Sequence, residues 1–269
     1  MNPDERTAQN VRLFDTLAAH YDRLGFLPLT ARYLAGRFRP QPDETLLDVM
    51  CGTGTLALAL ADAVGAGGRV VGADLSPGML TVARNRAAGQ PQLSFAEADA
   101  TALPFADAEF DGVACASGLF FVPDMDAALR EWRRVLRPGG RVAFSSFGKG
   151  LMGDLSGRWR VALEGVGFHP GFPPLGRLPS PDAAAELLRA AGFEGVAVDL
   201  QELPYTLPTP QDRWNDIEAG MEGAPLASLP PDVRQQLQND HMAELEALFA
   251  GQALTVPIPV LVAAGVRPG

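Results

Sequence analysis

Lysine is all but missing from this chain: Lys149 is its only one, and arginine supplies the remainder of 22 basic residues against 32 acidic ones. The scarcity, together with abundant Ala, Gly and Pro, reads as the codon bias of a GC-rich coding sequence and carries no chemistry. The resulting charge does. At a formal −10 there is no basic field to attract a phosphate backbone or an anionic membrane surface, so nucleic acid is excluded as the expected partner. Cysteine is also scarce: Cys51 and Cys115 alone make neither a disulfide framework nor a metal-binding spacing, and both are expected as reduced core residues. No uninterrupted apolar run reaches membrane-spanning length, and the N-terminal Met1-Asn-Pro-Asp-Glu-Arg lacks an apolar core of the kind a secretory signal needs. A cytoplasmic protein without membrane insertion is expected. At 269 residues, 47% of them hydrophobic, the chain is long enough to bury one good core with an appended subdomain.

What is present is a segment from Leu46 to Ala61 that reads as strand, glycine turn and helix. Leu46 to Met50 is a short buried-strand run, and Leu56 to Ala61 is rich in strong helix formers. Gly52 and Gly54 lie between them. Glycine there permits positive φ and close approach of a ligand to the backbone, while the free N–H groups opening the helix favour polar or anionic ligand atoms. A dinucleotide fingerprint wants a third glycine three residues on. Thr55, Leu56 and Ala57 follow Gly54 instead, leaving the pattern Asp48-x-x-x-Gly52-x-Gly54.

Downstream, strands and helices alternate: Thr45–Met50, a helix to Val64, Arg69–Asp74, a helix over Pro77–Ala88, Leu93–Ala98, Phe110–Ala116, a helix over Asp126–Leu136, and Arg141–Phe147. Such alternation predicts crossover connections and a parallel sheet, an α/β fold. Asp74 ends the second strand 20 residues beyond Gly54, where a carboxylate accepts the ribose hydroxyls of a bound nucleoside. Before the core, Val11, Phe14, Ala18 and Tyr21 share one face of a helix expected over Arg6–Tyr21, and a second helix, capped by Thr30, is expected to run to Phe38. Regular structure is expected to fade between Gly148 and Pro181, where Gly, Pro and aromatics are frequent. A helix over Asp182–Phe193 follows, and Val196–Leu200 and Leu254–Val266 read as the last two strands.

The Asp48–Gly54 pattern resembles the first motif of class I S-adenosylmethionine-dependent methyltransferases. Asp99-Ala100 after the third strand, Ser117-Gly118 after the fourth, and the Leu136-Arg137-Pro138-Gly139-Gly140 turn resemble further segments of the same family, and Phe14 to Asp22 with the Thr206–Gln252 insertion resembles, more narrowly, the ubiquinone/menaquinone-biosynthesis-type small-molecule methyltransferases. This resemblance implies a Rossmann-like, seven-stranded, mostly parallel sheet with helices on both faces, an antiparallel last strand and a helical lid insertion. It implies S-adenosyl-L-methionine as cofactor. Asp74 would hold the ribose, Asp99 the adenine amino group and the Ala100 N–H a ring nitrogen. The loop Cys51-Gly52-Thr53-Gly54 with Asp48 would face the methionine part, and Tyr21, Leu75, Met79 and Ser117 would complete the cofactor contacts. The expected organisation is one methyltransferase domain, with covering helices over 1–42, a core over 43–205, a lid over 206–252 and the last strand over 253–269.

Methyl transfer needs alignment of donor and acceptor and exclusion of water, with a general base only if the acceptor keeps its proton near neutral pH. His20, His169, His241 and Tyr205 are candidates for that base, and none is assigned. Phe120, Phe121, Trp159, Phe168, Phe172, Trp214 and Met221 suggest an enclosed small, largely apolar acceptor. A homodimer stays open. So do two other classes: a nicotinamide-dependent oxidoreductase, and a cyclase or binding module that keeps the cofactor without methylating.

Overall fold

The computed structural model describes residues 2–169, 174–178 and 180–269. Seven strands, β1 (Thr45–Val49), β2 (Arg69–Asp74), β3 (Leu93–Glu97), β4 (Phe110–Cys115), β5 (Leu136–Phe147), β6 (Glu194–Leu207) and β7 (Leu254–Val266), form one sheet in the order β3-β2-β1-β4-β5-β7-β6. The first five pair in parallel, and β7 runs antiparallel to both β5 and β6. Strand order reverses between β1 and β4, and at that switch point the strand ends part to leave a crevice for a ligand.

The central strands are buried on both faces, which is why Leu46, Leu47, Val49, Val70, Val71 and Val113 read as apolar runs without alternation. Helices α2 (Leu27–Phe38) and α3 (Thr55–Val64) pack together, and α4 (Pro77–Arg86) lies on β2 and β3. Helices α5 (Met125–Val135) and α7 (Pro181–Ala190) pack with each other on the sheet's other half. Trp132 of α5, Phe110 and Phe144 are fully buried in the main core. Gly112 admits α2, because a Cβ there would stand 2.5 Å from the Phe38 ring.

Several expected boundaries move. Helix α1 spans Pro3–Leu17, begun early by Asn2, whose side chain forms a reciprocal capping box with Glu5, and Tyr21 falls outside it in a 3-10 turn, Tyr21–Arg23. Thr30 does not cap α2: Pro28 sits in its first turn, and the Thr30 hydroxyl bonds back to the Leu27 carbonyl. A helix absent from the sequence reading, α6 (Asp154–Gly165), occupies part of the Gly148–Pro181 stretch. Gly157 and Gly165 weaken its local signal, and burial of Leu155, Trp159 and Leu163 holds it instead. The β6–β7 ladder is longer than expected, from Glu194↔Val266 to Leu207↔Leu254, so the segment between these strands consists of α8 (Pro210–Ala219), a 3-10 segment (Met221–Ser228) and α9 (Pro231–Phe249). With α6, it encloses a second small core of Trp159, Leu163, Trp214, Ile217, Leu226 and Leu237.

Candidate functional site

The glycine turn is held from below and left open above. Cys51 N–H donates to the Ala73 carbonyl at 3.0 Å, prolonging the β1–β2 pairing, and Gly54 N–H closes the turn on the Cys51 carbonyl at 2.9 Å. Gly52 has φ +53°, and a Cβ built on it would meet nothing within 4 Å, so the space beside it is available to a ligand. Gly54, at φ +81°, is fixed by crowding as well: a Cβ there would lie 3.2 Å from the Phe95 ring and 3.3 Å from Ala83. Gly54 is also the N-cap of α3 and offers no side-chain cap, so of the first-turn N–H groups those of Thr55 and Leu56 stay available for an anionic or polar ligand atom, while that of Ala57 faces Asp48.

Asp74 spans the turn and the start of α4. Its Oδ2 accepts the Gly52 N–H at 2.8 Å and its Oδ1 the Ser76 N–H at 2.9 Å, each oxygen keeping a further lone pair. Burial raises its pKa. Asp48 is fully buried, and among the described residues its carboxylate has only the Ala57 N–H of the first turn of α3 near it, short of an ordinary hydrogen bond. Desolvation drives its pKa well above the usual carboxylate range, with the Asp74 charge adding to the shift and the first-turn Ala57 N–H opposing it. Asp99 makes a tight local turn, its Oδ1 accepting both the N–H and the hydroxyl of Thr101 at 2.7 Å. The Ala100 carbonyl is anchored by Trp132 Nε1 at 3.1 Å.

These strand ends border a cavity of about 170 Å³, lined by Asp74, Leu75, Asp99 and Ala100 together with Met50 and the Phe121–Asp124 segment. Its remaining wall is α1, through Thr7, Asn10, Val11 and Phe14. Asn10 Nδ2 donates to the Phe121 carbonyl at 3.1 Å, and the Phe14 ring meets Phe121 edge-on at 5.0 Å. Asp15 accepts the Ser76 hydroxyl at 2.5 Å and the Gly78 N–H at 2.9 Å, tying α1 to the start of α4. The cavity is smaller than the usual several hundred Å³ of a cofactor pocket.

The other expected contacts, Tyr21, Asp48, the Cys51–Gly54 turn, Met79 and Ser117, are not among the residues that line it. Tyr21 stacks edge-on against Phe14 at 5.9 Å, and desolvation, then the Asp74 and Asp22 charges, push its pKa up to about 12. The Thr53 hydroxyl is spent beneath the turn, donating to Asp22 at 2.6 Å, while Arg86 reaches Asp22 at 2.8 Å and the Thr53 carbonyl at 3.0 Å. Met79 is buried under the Ser76 cap. Ser117, at φ +54°, donates its N–H to Ser145 Oγ at 3.0 Å. Gly118 is required by close approach, since a Cβ there would come within 2.9 Å of Met50 Cβ and 3.0 Å of Cys115 Sγ. Both cysteines are free and buried, and burial raises each thiol's pKa, so neither is a ready nucleophile.

Of the aromatics expected around an acceptor, Phe121 lines the cavity. Phe120 lies in the main core, Trp159 and Trp214 form the second core with Phe168 packed against it, and Phe172 lies outside the described residues. Among the four candidate bases, none lines the cavity. The sequence reading missed Met50, Asn10, Asp15, Asp22, Arg86 and Arg177. Arg177 pins the Phe120 and Pro123 carbonyls at 3.0 and 2.7 Å. Each of these acts through a partner distant in sequence, and only the shared helix face of α1 carried a local signal.

A family profile described as a methyltransferase domain matches residues 47–144. The chain is 38% identical over 197 residues to the ubiquinone/menaquinone biosynthesis C-methyltransferase UbiE of Hahella chejuensis, covering 62% of this chain and 79% of that one. It is 34% identical over 216 residues to the demethylmenaquinone methyltransferase of Geobacillus stearothermophilus, covering 72% and 91%. Among solved structures, a putative methyltransferase from Bacillus halodurans superimposes with a TM-score of 0.57 at 21% identity, covering 89% of this chain and 99% of that one, a likeness of fold. Among the described residues no helix is long and apolar enough to cross a membrane. The chain therefore belongs to the class I S-adenosylmethionine-dependent methyltransferases of the ubiquinone/menaquinone-biosynthesis type, enzymes that methylate small, largely apolar acceptors.

Proposed function

We propose that this enzyme methylates a ring carbon of a flat, quinol-type acceptor. The observation that carries the reading is the convergence of Asp74 and Asp99 on one cavity at the sheet's switch point, in a chain related to a protein named as a ubiquinone/menaquinone biosynthesis C-methyltransferase and to one named as a demethylmenaquinone methyltransferase. When bound, S-adenosylmethionine supplies an activated methyl on a cationic sulfur. The residues present fit it: Gly52 leaves open space where a Cβ would intrude, and Asp74 keeps acceptor capacity beyond its two backbone bonds. In this reading Asp74 accepts the ribose hydroxyls, Asp99 the adenine amino group, and the Ala100 N–H donates to a ring nitrogen. Asp48, Cys51, Gly52, Thr53 and Gly54 shape the methionine end, with Tyr21, Leu75, Met79 and Ser117 around it.

Helix α1 and the 206–252 insertion act as covers that exclude water, and the whole chain works as one domain. The support is that α1 walls the cavity, and that Asp216 of α8 binds the Gly25 N–H just beyond Tyr21. The charge of −10 disfavours nucleic acid as acceptor, and a cytoplasmic location belongs to the same reading. The test is incubation with methyl-labelled cofactor and a panel of quinols, phenols, tRNA and basic peptides, locating the label by fragmentation. Selective labelling of a quinol carbon is expected. Selective labelling of a macromolecule, or of oxygen alone, would overturn the proposal.

A further inference from the structure

The second core holds a buried cation that its own surroundings leave half used. Arg213 of α8 is 1% exposed, and its Nη1 pairs with Glu222 Oε2 at 2.7 Å, although the Glu222 side chain is 34% exposed. The cation thus lies deeper than its counter-ion. Its Nε and Nη2, the two N–H groups that stand side by side along one edge of the guanidinium, have no partner among the described residues. Trp214 Nε1 and His241 Nε2 are likewise buried without partners.

These groups belong to one cluster. The Trp159 ring lies 5.0 Å from His241 and 5.8 Å from Trp214, and Trp159 Nε1 donates to the Glu222 carbonyl at 2.8 Å. Of nine buried side-chain polar atoms left unpaired among the described residues, five lie here once Arg158 Nε is included. Folded proteins pair the large majority of such groups, so a concentration of this kind calls for a physical account. Apart from the histidine nitrogen, all five are donors only.

The nearby carboxylates do not supply what is missing. Asp216 is held by the Gly25 N–H at 3.1 Å and the Tyr205 hydroxyl at 3.0 Å. Glu244 bonds Arg158 at 2.8 Å and His241 Nδ1 at 3.2 Å, and Glu222 meets the other side of Arg213. The side-on edge of a guanidinium matches one ligand shape best, a planar pair of acceptor oxygens. We propose that the helical insertion contains a binding subsite for the carboxylate of a small apolar acid, with Arg213 gripping both oxygens and Trp214 and His241 beside it. Glu222, the member of the pair that reaches solvent, lies in the 3-10 segment Met221–Ser228. The subsite is built from α6, α8, α9 and that segment, so it stands independently of which acceptor is methylated.

The three tryptophans make the test direct. In the full ¹⁵N-labelled chain, the indole N–H of Trp132 bonds Ala100 and that of Trp159 bonds Glu222, while that of Trp214 is unpartnered. Titration with benzoate, 1-naphthoate and hexanoate should move the Trp214 signal saturably for at least one acid. The corresponding amides should leave it in place, and Trp132 should not respond. Arg213→Lys, which keeps the charge and loses the fork, should weaken binding at least 10-fold, and Arg213→Met should abolish it. Should Arg213→Met fail to fold, Arg213→Lys and Trp214→Phe, the latter read through the Trp159 signal, carry the test, with weaker binding expected in both. No saturable response to any of the acids, equal response to the amides, or unchanged affinity in the Arg213 variants would overturn the proposal.

Discussion

Asp15 and Ser76, 61 residues apart, meet at 2.5 Å: the α1 carboxylate accepts the hydroxyl proton of the residue that caps α4, while that same hydroxyl oxygen accepts the Met79 N–H. The first helix is thereby fastened to the element that follows Asp74, and it walls the cavity there. Asp15→Ala should loosen this wall at a cost of about 1 kcal/mol, discounted for the exposure of Asp15. Hydrogen exchange of residues 3–17 should accelerate and S-adenosylhomocysteine should dissociate several-fold faster. Unchanged exchange would mean that Asp15 does not hold the helix.

Gly52 and Gly118 should separate binding from stability. Gly52→Ala meets no neighbour and carries only the cost of φ +53°, about 1–2 kcal/mol, yet its methyl would occupy the open space beside the turn. Calorimetry should show a folded protein with cofactor affinity lost. Gly118→Ala collides with Met50 Cβ and should cost about 1–3 kcal/mol in chemical denaturation. Met50→Ala should not rescue it, because the nearest atom is the Cβ that alanine retains.

Asp74→Asn keeps one acceptor oxygen where the parent has two. It should weaken S-adenosylhomocysteine binding about 10- to 100-fold, the equivalent of about 1.5–3 kcal/mol for hydrogen bonds to a charged group. Titration calorimetry reads this directly, and parental affinity would remove Asp74 from the ribose role.

Asp48 gives a pH dependence with a definite sign. Its folded pKa lies well above its ordinary value because burial strips its charge of water and the Ala57 N–H does not make up the loss. Its contribution to stability is therefore fully present below the unfolded pKa of about 3.9 and falls as pH rises toward the folded pKa, by up to about 1.4 kcal/mol per pH unit. Asp48→Asn removes this loss. Denaturation of the cofactor-free proteins should show the variant gaining on the parent as pH rises from 4, and a constant difference across pH would refute the assignment.

Tyr205→Phe should leave Asp216 with the Gly25 N–H alone. A loss of about 1 kcal/mol is expected for this partly buried bond to a carboxylate, measured as a lower urea midpoint. Exchange of residues 210–228 should quicken if the bond anchors α8.

The sequence alone determined the α/β order, the glycine turn and the acids at the strand ends. Local pattern is sufficient for each: apolar runs of strand length between helical segments, glycines where φ must be positive, and Asp74 20 residues beyond Gly54. It could not place the aromatics. Trp159 and Trp214 look the same in sequence whether they face a ligand or a core, and the structure gives them to the second core with α6, a helix whose glycines hid it. Nor could it show that α1 closes on α4 through Asp15 and Ser76, that Asp22 and Arg86 hold the glycine turn, or that Arg213 is buried with an edge unpaired. The first two depend on pairs of residues 33 to 64 positions apart, and the third on how α6, α8 and α9 pack around one side chain. A pairing at such distance leaves no periodicity to read, and only the packed chain decides which polar groups meet and which are buried alone.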